Sequence, residues 1–184
     1  MNAFVLYSHF GFDQIKRWTA SCQDLVNLRA AWDELPIEAA AHMGRPDIGG
    51  FLLEKGAAYS LPTAVAFGST QDVKRMLEED PGRIHERGAH SFPLLWYTAF
   101  GTPRLETAEY LLAQGVPVEE DMRGRTVLHT AVASGHLDVC RLFLEKGLNP
   151  RQVGDNFEGK MSAIEAAEKA KHSQVAKMLA DWPQ

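Results

Sequence analysis

The sequence predicts an all-α fold: a solenoid of stacked antiparallel helix pairs, with short or hairpin-like connecting loops. Three observations predict it. One segment recurs along nearly all 184 residues, each copy carries two short apolar-periodic stretches, and glycines punctuate the copies at matching places. The strongest internal match sets "IEAAAHMGRPDIGGFLLEKGA" (37–57) against "LHTAVASGHLDVCRLFLEKGL" (128–148). Without a gap, Ala40 meets Ala131, Gly44 meets Gly135, Asp47 meets Asp138 and Ile48 meets Val139. The closing Leu53-Glu54-Lys55-Gly56 meets Leu144-Glu145-Lys146-Gly147.

The remaining copies follow in order. At the start, "DQIKRWTASCQDLVNL" (13–28) tracks "DVKRMLEEDPGRIHER" (72–87) through Ile15/Val73, Lys16-Arg17/Lys74-Arg75 and Val26/Ile84. "PTAVAFGSTQDVKRMLEED" (62–80) takes one extra residue after Gly68, and "PLLWYTAFGTPRLETAEYLLAQGV" (93–116) about two after Gly101. "SAIEAAEKAKHSQVAKMLADW" (162–182) is the last copy, degraded and more polar. These bounds predict six repeats in a single domain over 1–184, approximately 1–29, 30–57, 58–87, 88–118, 119–152 and 153–184.

Within each copy the first Gly supplies a tight turn between the helices, and a second Gly caps the second helix where φ is positive. Isolated helices shorter than about 12–15 residues are marginal in water. Stacking the pairs buries their apolar faces in one continuous core, which is why such units come in series. Connections vary: "AAYS" (57–60) leaves room only for a tight turn, whereas "NPRQVGDNFEGKM" (149–161) is long enough for an extended finger. The first two units also resemble the next two as a pair, with Gly44 to Gly101 spanning 57 residues, as a two-unit duplication would leave them.

"GRTVLHTAVASGHLDVCRLFLEKGLNP" (124–150) resembles an ankyrin repeat over its whole length. Thr126, Leu128, His129, Ala131, Gly135, His136, Val139, Leu142, Leu144 and Gly147 fall on the family's T-P-L-H-x-A, G-H and L-L-x-x-G positions, with Val127 in place of the usual proline. The resemblance implies an ankyrin-repeat solenoid that binds a partner protein or peptide without catalysis or cofactor. It also implies a binding side, the concave face built from finger tips and the exposed side of the first helices. The two-unit rhythm is similar to that of bacterial ankyrin proteins.

Composition narrows the setting. A hydrophobic fraction of 45% and a charged fraction of 23% are ordinary for a folded domain. The net charge of -5 argues against non-specific nucleic-acid binding, which needs a basic footprint. Cys22 and Cys140 are too few for a disulfide framework and suit a reducing compartment. "MNAFVLYSHFGFDQ" lacks the positive n-region and cleavage site of a signal peptide, and no run approaches the roughly 18 apolar residues of a membrane helix. The expectation is a cytoplasmic protein, monomeric, with no nucleic acid or membrane as partner; a homo-oligomer closed by its own apolar surface is the alternative.

His129, His136 and Cys140 lie within twelve positions and could contribute to a metal site. Zinc needs about four converging ligands, and no fourth is evident. The first copy carries Glu38, Arg45 and Gly49 at the same places, so the repeat itself needs no ligands there. The resemblance gives His129 a scaffold role, bonding turn backbone and tying neighbouring units, and leaves Cys140 to pack as a small hydrophobe. G-x-S-x-G, G-x-x-x-x-G-K-[ST], H-E-x-x-H and G-x-G-x-x-G are all absent from the sequence, so no enzyme is expected. Glu119, Glu120 and Asp121 read as a solvated run that Arg123 and Arg125 neutralise locally.

Surface is what remains. The two residues before each turn Gly read His9-Phe10, His42-Met43, Ala66-Phe67, Ala99-Phe100 and Ala133-Ser134, with Lys169-Ala170 in the last copy. Phe10, Met43, Phe67 and Phe100 thus form a row of large apolar groups, and Trp96, one turn back from Phe100, is expected to share its face. Aromatic groups make good binding anchors. The expected contacts are Phe67, Trp96 and Phe100, then Phe10, Met43, Arg123 and Arg125. Packing between neighbouring units is the alternative use of the same side chains.

Overall fold

The computed structural model describes residues 2–118, 124–156 and 159–183. By contacts the chain divides into two compact units, Met1–Tyr97 and Thr98–Gln184. In the first, α1 (Asn2–Ser8) pairs with α2 (Phe12–Ser21), α3 (Pro36–His42) with α4 (Pro46–Glu54), and α5 (Leu61–Phe67) with α6 (Thr70–Glu79). First helices stack on first helices, α1 on α3 and α3 on α5. A 3-10 turn follows α2 at Gln23–Asn27 and another follows α6 at Pro81–His85, so the two-unit rhythm of the sequence is also a rhythm of the backbone. A third 3-10 turn, Ala89–Ser91, leads into α7 (Leu94–Ala99), within which the boundary between the units falls.

The second unit holds α8 (Leu105–Ala113), the pair α9 (Val127–Ala133) and α10 (Leu137–Glu145), and the pair α11 (Ala163–Lys169) and α12 (Ser173–Ala180). The long connection expected before α11 is a hairpin finger. There β1 (Val153–Asn156) runs antiparallel to β2 (Gly159–Ser162), with Val153 opposite Ser162 and Asn156 opposite Gly159.

Helices of six to ten residues persist here because each buries an apolar face. In the first unit Phe4, Ile15, Val26, Ile37, Ala40, Ile48, Leu52 and Ala57 form one cluster. In the second, Leu111, Leu128, Val139, Phe143, Ala167 and Leu179 are fully or almost fully buried. Each large side chain removed from water is worth about 1.5–3 kcal/mol. The short "AAYS" connection is tight, as expected, and the Asn27 amide secures it by donating to Gly56 O at 2.8 Å and accepting from Ala58 N at 2.8 Å. Gly56, Gly115 and Gly147 close α4, α8 and α10 with φ of 85°, 89° and 93°, a region that favours glycine.

N-terminal caps repeat as well. Leu35 N donates to Glu38 Oε2 (2.7 Å), Ser60 N to Thr63 Oγ1 (2.8 Å), Thr126 N to His129 Nδ1 (3.2 Å) and Ser162 N to Glu165 Oε2 (2.7 Å). In these four helices the third residue supplies the acceptor, and its type varies from carboxylate to hydroxyl to imidazole.

Candidate functional site

Phe10 is 57% exposed and Met43 41%, whereas Phe67 and Phe100 are half-buried. Two expectations are corrected. Trp96 is 1% exposed, with its ring stacked flat on Phe92 at 4.3 Å between centroids, and Arg125 is also buried. The reason for Trp96 is register: it is the third residue of α7, the place that buried Thr63 holds in α5 and buried His129 in α9. Replacing it with alanine would therefore carve into the core.

The stripe is also rotated. Phe67 is the seventh and last residue of α5, the place of His42 in α3, while Met43 lies one position past α3 and Phe100 one past the six-residue α7. One residue is about 100° around a helix, which separates Met43 from Phe67. Arg123 and the Glu119–Glu120–Asp121 run lie outside the described residues.

His129, His136 and Cys140 do not converge on a shared site. His129 is fully buried; its Nδ1 accepts from Thr126 N (3.2 Å) and lies 3.0 Å from Thr126 Oγ1, and its Nε2 faces Met161 O at 3.3 Å. Accepting at Nδ1 leaves the proton on Nε2, which donates to the finger carbonyl. His136 Nε2 donates to Gly101 O at 2.7 Å. Burial lowers the His136 pKa most; the Gly101 bond works against that, and His172 adds to it. Cys140 is fully buried, and desolvation pushes its thiol up to about 12. All three are scaffold.

A different group does converge, entirely within the first unit. Glu34 is 1% exposed, and three imidazoles face its carboxylate. His42 Nδ1 stands 3.0 Å from Oε1, His90 Nε2 3.4 Å from Oε1, and His9 Nε2 3.7 Å from Oε2. Trp32 Nε1 donates to Oε2 at 2.7 Å. Oε1 nevertheless receives no hydrogen bond of proper direction. The rings form a row, His9 edge-on to His42 and His42 edge-on to His90, each pair 4.9 Å between centroids. Phe92 closes the apolar side at 6.0 Å from both His42 and His90.

Local backbone places these groups. His9 follows α1, and its Nδ1 lies 3.0 Å from both Val5 O and Leu6 O, which holds the ring with Nε2 toward Glu34. His42 is the last residue of α3. Glu34 and His90 sit on two turns of the same design. Ala30 N bonds Glu34 O (2.8 Å) and Asp33 N bonds Ala30 O (3.0 Å); likewise Gly88 N bonds Phe92 O (3.0 Å) and Ser91 N bonds Gly88 O (3.1 Å). Asp33, His90 and Ser91 all have positive φ (65°, 57° and 61°). Non-glycine residues held there cost of order 1–3 kcal/mol each, and such strain collects at functional sites.

Burial alone would push the Glu34 carboxyl up. His42, the Trp32 hydrogen bond and the charges of His42 and His9 outweigh it, and hold the group below the usual carboxylate range. His9, Glu34 and His42 each offer one ligand atom, all within 4.8 Å of one another. Sequence reasoning had His9 and His42 in view as residues two before a turn Gly in adjacent units, and read past them to the apolar neighbours.

The family model for ankyrin repeats (three copies) matches residues 61–153 and 95–183, well over half of the chain. The chain belongs to the ankyrin-repeat family. A transient receptor potential cation channel subfamily A member 1 homolog from Caenorhabditis elegans is similar at 27% identity over 125 residues. That match covers 68% of this chain and 10% of the channel homolog, so the chain spans about a tenth of that relative's length. Among the described residues no helix is long and apolar enough to cross a membrane.

Proposed function

We propose that this ankyrin-repeat protein is a non-catalytic interaction module of six repeats, binding a partner protein or peptide through the concave side offered by its N-terminal first helices. The observation that carries the reading is where large apolar side chains stay in water. Of six exposed among the described residues, five lie in the first 43: Leu6, Tyr7, Phe10, Trp32 and Met43. Tyr7 and Phe10 pack ring to ring at 5.3 Å, which offers a broad, stiff anchor at small entropy cost. Contiguous exposed apolar surface on a folded chain marks interaction sites. Phe67 contributes its exposed edge. The protein works as a cytoplasmic monomer awaiting its partner.

The test is Phe10→Ser combined with Met43→Ser, both exposed enough to change without opening the core. The wild-type chain should retain a protein from lysate of the source cells that the double variant loses, while circular dichroism and melting stay the same. Retention of the same proteins by both chains would end the proposal. Light scattering across a dilution series separates a monomer from a self-associating chain.

A further inference from the structure

We infer that His9, Glu34 and His42, with His90 beside them, form a binding site for a divalent transition-metal ion of the zinc class, and that the ion clips together the N-terminal repeats. The donor set is one such ions take: neutral imidazole nitrogen and a carboxylate oxygen. Their ligand atoms lie within 4.8 Å of one another, and tetrahedral bonds of about 2.0–2.2 Å would draw them to roughly 3.4 Å apart.

Two independent observations point to a cation. First, Glu34 Oε1 is buried and receives no directed hydrogen bond, although two imidazole nitrogens stand within 3.4 Å of it. Second, the His9 ring directs Nδ1 to backbone carbonyls, so in the neutral ring the Nε2 lone pair faces a carboxylate oxygen 3.7 Å away. Nε2 and the carboxylate attract only through positive charge between them, a proton or a metal ion; 3.7 Å is longer than an N–H···O bond and is a span that two metal–ligand bonds can bridge. Bonding the second ring nitrogen to a carbonyl is also how metal-ligating histidines are commonly oriented.

Outer contacts complete the picture. Trp32 Nε1 holds Oε2 at 2.7 Å and leaves Oε1 for the ion. His42 Nδ1, now 3.1 Å from Glu38 O, would release that carbonyl and carry its proton on Nε2 instead. The His90 side chain is 47% exposed with its Nε2 3.4 Å from Oε1, so it stands beside the three ligands on the side open to solvent. The site ties the end of α1, the turn at Glu34, the end of α3 and the turn at His90.

The experiment uses the full chain purified without a histidine tag and titrated with Zn2+, with metal counted after dialysis and melting followed in parallel. Wild type should hold one equivalent and melt higher with Zn2+. His9→Gln and Glu34→Gln should each lose affinity by at least about tenfold and lose the melting response, and Trp32→Phe should weaken binding by about tenfold through the lost outer contact. His9→Gln is at the rim, so its metal-free fold should match wild type and make its loss readable. Less than a tenth of an equivalent on wild type would overturn the inference. So would one equivalent that survives both His9→Gln and Glu34→Gln, or one that disappears only when His136 or Cys140 is replaced.

Discussion

Two histidine groups in this chain invite opposite readings before and after folding. His129, His136 and Cys140 are neighbours in sequence, yet each ring nitrogen with a partner faces protein backbone or Thr126, and the thiol is sealed in the core. His9, Glu34, His42 and His90 are scattered over 82 positions, yet their side chains meet around one carboxylate. The difference lies in what the repeat already demands. His129 supplies the acceptor that caps α9, as the third residue also does in α3, α5 and α11, and His136 bonds the Gly101 carbonyl beside the turn. No copy needs a buried glutamate ringed by imidazoles, so the second group is surplus to the scaffold.

The largest expected effect tests this division directly. His129→Ala strands the Thr126 N–H and the Met161 carbonyl in a fully buried place, and should cost about 3 kcal/mol. His129→Gln, which keeps an acceptor for the cap, should lose less than half as much. His9→Gln, by contrast, should cost under about 1 kcal/mol in metal-free buffer, because that ring is partly exposed and bonds only its own helix. Urea unfolding of the three variants measures all of this. Equal losses for His129→Ala and His9→Gln would erase the distinction between scaffold and site.

The fold was legible because its evidence is periodic. Gly44, Gly101 and Gly135 recur at the inter-helix turn with φ of 61°, 73° and 72°, and Lys171 takes the same place with φ of 60°. The finger followed from the loop's length set against the ankyrin pattern. The site was less legible, for two physical reasons. Aligning copies on the turn Gly hid a one-residue difference in the turn between the helices, which put Met43 and Phe67 on one line when the backbone sets them one position apart. And Glu34 and His90 ride on turns between repeats, where no helical period fixes direction and left-handed residues at 33, 90 and 91 do the aiming. The one signal available was that His9 and His42 share a repeat position in adjacent units, which stacking turns into ring contact.

A smaller effect separates the two thiols. With Cys140 pushed up to about 12, only roughly one thiol in ten thousand is ionised at pH 8, and none of it is open to solvent. A thiol reagent should therefore modify exposed Cys22 alone in the folded chain and reach Cys140 only in denaturant. Rapid modification of both in native buffer would mean that the α10 core opens readily and that Cys140 has a use beyond packing.

The smallest effect belongs to His136, where the sign matters more than the size. Burial lowers its pKa from the ordinary 6.5, more than the bond to Gly101 O raises it, and nearby His172 lowers it further. Below 6.5 the unfolded chain then binds more protons than the folded one, so this contribution to stability is complete above 6.5 and is lost as pH falls through the folded value. His136→Gln keeps a donor for Gly101 O but cannot titrate. The urea midpoint of wild type should exceed that of the variant most at pH 7.5 and approach it steadily toward pH 5. A gap that widens on acidification would mean a charged His136 is favoured by the fold, and would return that residue to the list of sites seeking an anion.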